Sequence, residues 1–332
     1  MKHETKEWLK RQLRKVFKVT KLERIYFHPD GSLRRDVEVE SGRRMVDVCF
    51  INGCDPRIVP HPSRYRVTHQ REQLEANNIS TDQIFFEDLT EDDVRYANAF
   101  VIFRCPYTEK VGALIEAAKK MHKPVYYDID DLVFDTVYTD LIPYVQGLDE
   151  TEYNNYSNFV KRMGRTLSMC DGAITTTAAL RDEMQKYVPE VLLNRNSASD
   201  ELYGFSDKAL QEKTPHEGEI RMGYFSGSIS HNADVELILP DLVKLLSKHE
   251  NLYFYLVGEI DLPEELKAFE SRVRFLPFMD WRDLPKNISE MDINLAPLRD
   301  DIFNRAKSEN KWVEASLVKT VTVASDVGAF KE

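Results

Sequence analysis

From Val46 onward the sequence alternates short apolar runs with longer helical patterns, and it does so twice. Val46–Ile51, Gln83–Phe86, Ala99–Arg104, Pro124–Ile129, Gly172–Thr175 and Val191–Leu193 read as strands. Helical patterns over Tyr65–Asn77, from Thr90, and over Val111–Met121, Tyr153–Met169 and Ala178–Tyr187 lie between them. Strands that alternate with helices predict a parallel sheet covered on both faces. Ser197–Glu219 is polar, carries Pro215 and Gly218, and reads as a domain connection. A second alternation follows, with strands at Ile220–Phe225, Leu252–Val257, Val273–Leu276, Ile293–Ala296 and Val321–Ser325. Helices are predicted at Asp234–Ser247, Pro263–Phe269, Asp283–Ser289 and Lys307–Val318. The prediction is an α/β chain of two doubly wound domains in tandem, residues 45–200 and 201–332, preceded by an extension over residues 1–44.

The 332 residues suffice for two domains, and 42% hydrophobic content supplies their cores. Formal net charge is −11, which argues against a general nucleic-acid binder, because such proteins need a basic surface to displace counterions. Met1–Arg24 is the exception, with nine Lys/Arg against three Glu. Within it Trp8, Leu9, Leu13, Val16 and Phe17 fall at helical spacing among Lys10, Arg11, Arg14, Lys15 and Lys18. Two readings fit this basic amphipathic helix: it lies in a membrane interface with its cations toward anionic lipid, or it packs on protein with its lysines outward. His28-Pro29-Asp30-Gly31 then marks the turn of a small hairpin.

Cys49, Cys54, Cys105 and Cys170 are scattered without a C-x-x-C pair, and three of them sit beside apolar residues. They read as buried thiols of a reducing, cytosolic setting rather than as a zinc site. No apolar run approaches the roughly 18 to 20 residues of a transmembrane helix.

Four constellations can carry chemistry. After the strand Ile220–Phe225 come Ser226, Gly227, Ser228 and Ser230, then a helix. Hydroxyls and helix-start N–H groups there suit a phosphate, and an ordinary turn with serine caps fits the same residues. Near the end, Arg305, Lys307, Ser308, Lys311 and Glu314 surround a predicted helix start. Lys307, Lys311 and Glu314 then share one stripe, cations at the end the helix dipole offers to anions. A solvated face with a Lys311–Glu314 pair is the plainer account. Third, Asp128, Asp130 and Asp131 crowd a strand end, so at least one should have a raised pKa unless a cation or ligand sits among them. The D-x-D spacing also invites a carboxylate-held metal. Last, Arg64, Tyr65 and Arg66 follow the first strand and suit a phosphate or sugar, or else form a basic surface turn.

Taken together, "SRYRV", "YYDIDDLVFD", "GYFSGSISHNADVELI" and "NRAKSENKWVEAS...VTVASDVG" resemble family 4 glycosyltransferases of the GT-B fold, across roughly Val46–Glu332. Within that family the resemblance is to the branch that builds bacterial surface polysaccharides. It implies two Rossmann-like domains, a nucleotide-diphosphate-sugar donor held mainly by the second, and a glycan or lipid-linked acceptor facing the first. It implies retention of anomeric configuration, no metal and no cofactor; the cysteines add the expectation of a cytoplasmic enzyme, and the membrane reading of the N-terminal helix, outside the resemblance, would make it peripheral at the inner face of a membrane. Residue by residue, Glu314 takes the ribose, Arg305 and Lys307 the diphosphate with Ser226, Gly227, Ser228 and Ser308, and Asp130 and Asp131 face the reacting sugar as catalytic residues. Arg64, Tyr65 and Arg66 fall on the acceptor side. The sequence departs from the pattern at Ala306, where the family's first motif glutamate would stand, and it lacks the usual basic pair within Ser226–Asn232. The second domain also reads as truncated. Two rival expectations are a GT-B-fold nucleotide-sugar epimerase and an inactive, glycosyltransferase-like scaffold.

Overall fold

The computed structural model describes residues 26–27, 33–34, 45–54, 60–227 and 231–332. The chain divides into two compact units, residues 1–45 and 46–332. In the first, β1 (Tyr26–Phe27) and β2 (Leu33–Arg34) pair antiparallel, Phe27 opposite Leu33. The basic helix expected over Lys6–Val19 lies outside the described residues. Among the described residues no helix is long and apolar enough to cross a membrane.

The second unit holds two parallel sheets. The first contains β3 (Val46–Asn52), β4 (Thr81–Phe85), β5 (Ala97–Phe103), β6 (Val125–Asp128), β7 (Gly172–Thr175) and β8 (Val191–Leu193), in the order β4-β3-β5-β6-β7-β8. The second contains β9 (Ile220–Ser226), β10 (Leu252–Gly258), β11 (Val273–Leu276), β12 (Ile293–Ala296) and β13 (Val321–Ala324), in the order β11-β10-β9-β12-β13. Each sheet reverses direction once, at β3/β5 and at β9/β12. In such sheets a crevice opens beyond the carboxyl ends at the reversal.

Local chemistry fixes the covering helices. Thr108 caps α3 (Glu109–Lys120), its hydroxyl accepting from Val111 N at 3.2 Å. Asp149 and Glu152 form a reciprocal capping box on α5 (Glu150–Met169), which buries Val160, Met163 and Leu167. Met163 and Leu167 close one face of the first sheet with Phe100, Ile102 and Ile115, while Phe50, Val67, Val101 and Phe103 close the other. Leu239, Leu242, Leu246, Phe254 and Leu256 form the main core of the second.

Two expectations change and one feature was not anticipated. The connection Ser197–Glu219 contains a helix, α7 (Asp200–Glu212), capped by Ser199 and burying Leu202, Ser206 and Ala209. The small size of Ser206 and Ala209 hides that face from a search for long apolar residues. The helix expected from Lys307 begins at Asn310 as α11 (Asn310–Leu317), after the short α10 (Ile302–Arg305). β13 is an edge strand with Val321 65% and Val323 55% exposed, not the buried strand its composition suggests.

After β3 the chain forms α1 (Pro60–Ser63), a π-helical turn over Arg64–Thr68, and α2 (His69–Ala76). Arg66 on that turn is fully buried and grips Asp128 at the end of β6 through Nε at 2.8 Å and Nη2 at 2.7 Å. Its Nη1 donates to Asn194 O at 2.7 Å and Asn196 Oδ1 at 3.1 Å. Gln70 adds a bond to Asp128 Oδ2 at 2.9 Å. Burial pushes the Asp128 carboxyl up against the pull of Arg66. The expectation that Arg66 serves the acceptor side is therefore corrected: its donors are spent inside the fold.

Removing one partner of a buried pair strands the other charge, at a cost of about 3–5 kcal/mol, whereas removing both is far milder. Arg66→Met should lower the urea midpoint by a corresponding amount, and Arg66→Met with Asp128→Leu should regain part of it. Equal losses in the single and double variants would show that the charges matter only by their volume.

Candidate functional site

The carboxyl ends of the two sheets line one cleft of about 410 Å³. Its first-domain wall begins at Arg104, just past β5, whose φ of +46° is rare for a residue with a side chain. The guanidinium reaches Asp130 through Nε at 2.8 Å and Nη2 at 2.7 Å, and Asp131 at 3.5 Å. Across the cleft, Lys307 Nζ lies 3.1 Å from Asp131 Oδ1. Burial works against the charge on Asp131, but Lys307 and Arg104 outweigh it and hold the carboxyl below the usual range. The crowding of Asp128, Asp130 and Asp131 is thus resolved by three separate cations. Among the described residues no group of three or more His, Cys, Asp and Glu is placed to hold a metal ion.

Glu314 sits on α11 of the second domain and meets the first. Its Oε1 accepts from Tyr65 Oη at 2.8 Å and from Arg64 Nη2 at 3.0 Å. Arg64 is sandwiched between the rings of Tyr65 and Trp281, 4.7 Å from each centroid. Its Nε and Nη1 have no acceptor among the described residues. Burial, then Glu314, pushes the Tyr65 hydroxyl well up, so it remains a donor.

The floor is built by β9 and β10. Gly258 ends β10 with φ +107°, and a Cβ there would stand 1.9 Å from Ser226 O. Only glycine lets these strand ends close up. Ser226 and Gly227 follow on the rim beside it. Lys311 reaches in from α11, donates to Phe225 O and lies over the Tyr224 ring with Nζ 4.6 Å from its centroid. Burial lowers its pKa to about 8, against the influence of Glu314 and Asp234. His231 Nδ1 is 2.9 Å from Asp234 Oδ2, and burial lowers the imidazole pKa.

Asp130, Asp131, Arg64, Tyr65, Ser226, Gly227, Lys307, Ser308 and Glu314 therefore come together in the cleft, although they span 250 positions of sequence. Ser228 lies outside the described residues. Arg305 is not in the cleft lining: it is exposed and its Nε pairs with Asp300 at 2.6 Å. Ala306 is 1% exposed, packs in the first domain's core and accepts a bond from Thr177. A carboxylate at this position would be buried among apolar groups. Sequence reasoning missed Arg104 and Trp281. Each is a lone residue beside a strand or turn, with no spacing to mark it.

Residues 221–332 match the family model described as glycosyl transferases group 1. No curated protein matches the chain. Among solved structures, HepE of Anabaena in complex with UDP is 15% identical over 86% of this chain and 82% of its own, with a TM-score of 0.50. The fold is GT-B. WaaG, a glycosyltransferase involved in lipopolysaccharide biosynthesis, is 13% identical over 85% and 82%, with a TM-score of 0.47. The UDP-GlcNAc 2-epimerase of Methanocaldococcus jannaschii is 11% identical over 84% and 83%, with a TM-score of 0.40. At 15% identity the likeness to HepE is one of fold alone.

Lys311 offers a test that needs no ligand. Its folded pKa of about 8 lies below the roughly 10.4 of an unfolded chain. Between those values the unfolded state binds more protons, so stability rises with pH across this window and the full penalty applies below it. Relative to Lys311→Met, the wild-type urea midpoint should climb between pH 8 and pH 10. Parallel midpoints in the two proteins would mean that Lys311 titrates normally.

Proposed function

We propose that this chain is a glycosyltransferase that moves a sugar from a nucleotide-diphosphate donor to a hydroxyl of a glycan or lipid-linked acceptor, with retention at the anomeric carbon. The observation that carries the reading is the position of Glu314 and Lys311 on α11, at the reversal point of the sheet whose segment matches the group 1 family. Glu314 has the acceptor oxygens for ribose hydroxyls. Lys307, Lys311 and the N–H groups at the start of α11 suit the diphosphate, with Ser226 and Gly227 opposite. Because HepE is solved with UDP, uridine nucleotides are the first donors to test.

On this reading the sugar carbon breaks its bond to the diphosphate and bonds to the acceptor oxygen on the same face, while the acceptor proton passes to a phosphate oxygen of the leaving group. The largest electrostatic task is to stabilise the charge that develops on that diphosphate. Asp130 and Asp131, held by Arg104 and Lys307, face the reacting sugar and suit a positive centre developing at its ring. Two nitrogens of Arg64, Nε and Nη1, have no acceptor among the described residues and lie beside Trp281, suited to a carbonyl or hydroxyl of a ligand. No metal or cofactor is assigned. Work in surface-polysaccharide synthesis, at the cytoplasmic face of a membrane, is the proposed setting.

Hydrogen bonds to a charged group contribute about 1.5–3 kcal/mol, roughly 10- to 100-fold in affinity. Glu314→Ala should weaken UDP-sugar binding by that factor and reduce the ligand-induced rise in melting temperature at a given ligand concentration. Unchanged donor affinity and transfer rate would remove Glu314 from the site. Product analysis with donor alone separates transfer from epimerisation, since an epimerase needs no acceptor.

A further inference from the structure

Asn196 belongs to the first domain, just past β8, and is 6% exposed. Its amide is used at both ends. Oδ1 accepts from Arg66 Nη1 at 3.1 Å, and Nδ2 donates to Asn310 Oδ1 at 2.9 Å and Ser308 Oγ at 3.3 Å. A guanidinium has only donors, so the orientation of the amide is fixed: its oxygen faces Arg66 and its nitrogen faces the second domain.

The partners on each side give this bridge a consequence. Arg66 is locked to Asp128, two residues before Asp130. Ser308 lines the cleft beside Lys307, and Asn310 is the first residue of α11, which carries Lys311 and Glu314. One buried amide therefore joins the anchor of the acidic wall to the start of the helix on the opposite wall. A neighbouring tie, Arg195 Nη1 to Glu309 Oε1 at 3.0 Å, is 36% exposed on the arginine side and is the weaker constraint.

We propose that Asn196 is a positioning residue of the cleft, holding the start of α11 at the spacing from Asp130 and Asp131 at which a nucleotide-sugar diphosphate fits. The assignment rests on the glycosyltransferase reading, and its test is built so that the two fail separately. Asn196→Asp keeps an acceptor for Arg66 and loses both donors to the second domain, and Asn196→Ala loses both ends. Hydrogen exchange reads the tether without any ligand. In both variants the amides of Trp312 and Val313, which bond to Glu309 O at 2.9 and 3.1 Å, should exchange at least tenfold faster while those of β5 and β9 are unchanged. Calorimetry with UDP should then show affinity about tenfold weaker. Leu246→Ala, in the distant core of the second sheet, serves as the control. It should lower the melting temperature and leave UDP affinity alone. Wild-type protection at Trp312 and Val313, or wild-type UDP affinity in both variants, overturns the role of Asn196. If the wild-type chain itself binds neither UDP nor UDP-sugars, the functional reading falls, and exchange alone then decides whether Asn196 holds the helix start.

Discussion

The site depends on a charge that never reaches it. Arg66 and Asp128 form an ion pair with both side chains fully buried, and each nitrogen of the guanidinium donates to an oxygen. Such a pair contributes little net stability over an apolar packing, yet leaving either member alone is expensive. What it fixes is geometry. The π-helical turn that carries Arg66 inward also presents Arg64 and Tyr65 to the cleft, and the strand that ends in Asp128 delivers Asp130 and Asp131 beside them.

The cleft charges are arranged around a ligand-sized space rather than pooled. Asp130 and Asp131 answer to Arg104 and Lys307, while Glu314 answers to Arg64 and Tyr65. Contacts across the cleft, among them Lys307 to Asp131 and Glu314 to Arg64 and Tyr65, join groups from opposite domains. A diphosphate sugar entering here would compete for Lys307 and Glu314, so binding exchanges one set of charge partners for another. Lys311, whose pKa desolvation lowers to about 8, gains a partner that favours its charged form when an anion comes near.

Much of this was legible in the sequence. Parallel strands announce themselves as apolar runs between helices, and the strand ends they mark are where the sequence reading put Ser226, Gly227, Asp130 and Asp131, while Glu314 came from a helix stripe and the family resemblance. What the sequence could not separate was two arginines two positions apart. Arg64 and Arg66 look alike as residue types, and only the local helical geometry sends one to the cleft and the other to the core. Arg305 and Lys307 divide in the same way around a break between α10 and α11 that no glycine or proline marks. Arg104 was unreadable because its backbone lies in the left-handed region without the glycine that usually signals it.

The most direct test of the account is a crystal structure of the chain with a bound UDP-sugar. The expected result has the diphosphate between the Ser226–Gly227 turn and the start of α11, within reach of Lys307 and Lys311, with the ribose on Glu314. A donor bound elsewhere, or bound in the cleft with Glu314 still engaged only by Arg64 and Tyr65, would contradict it.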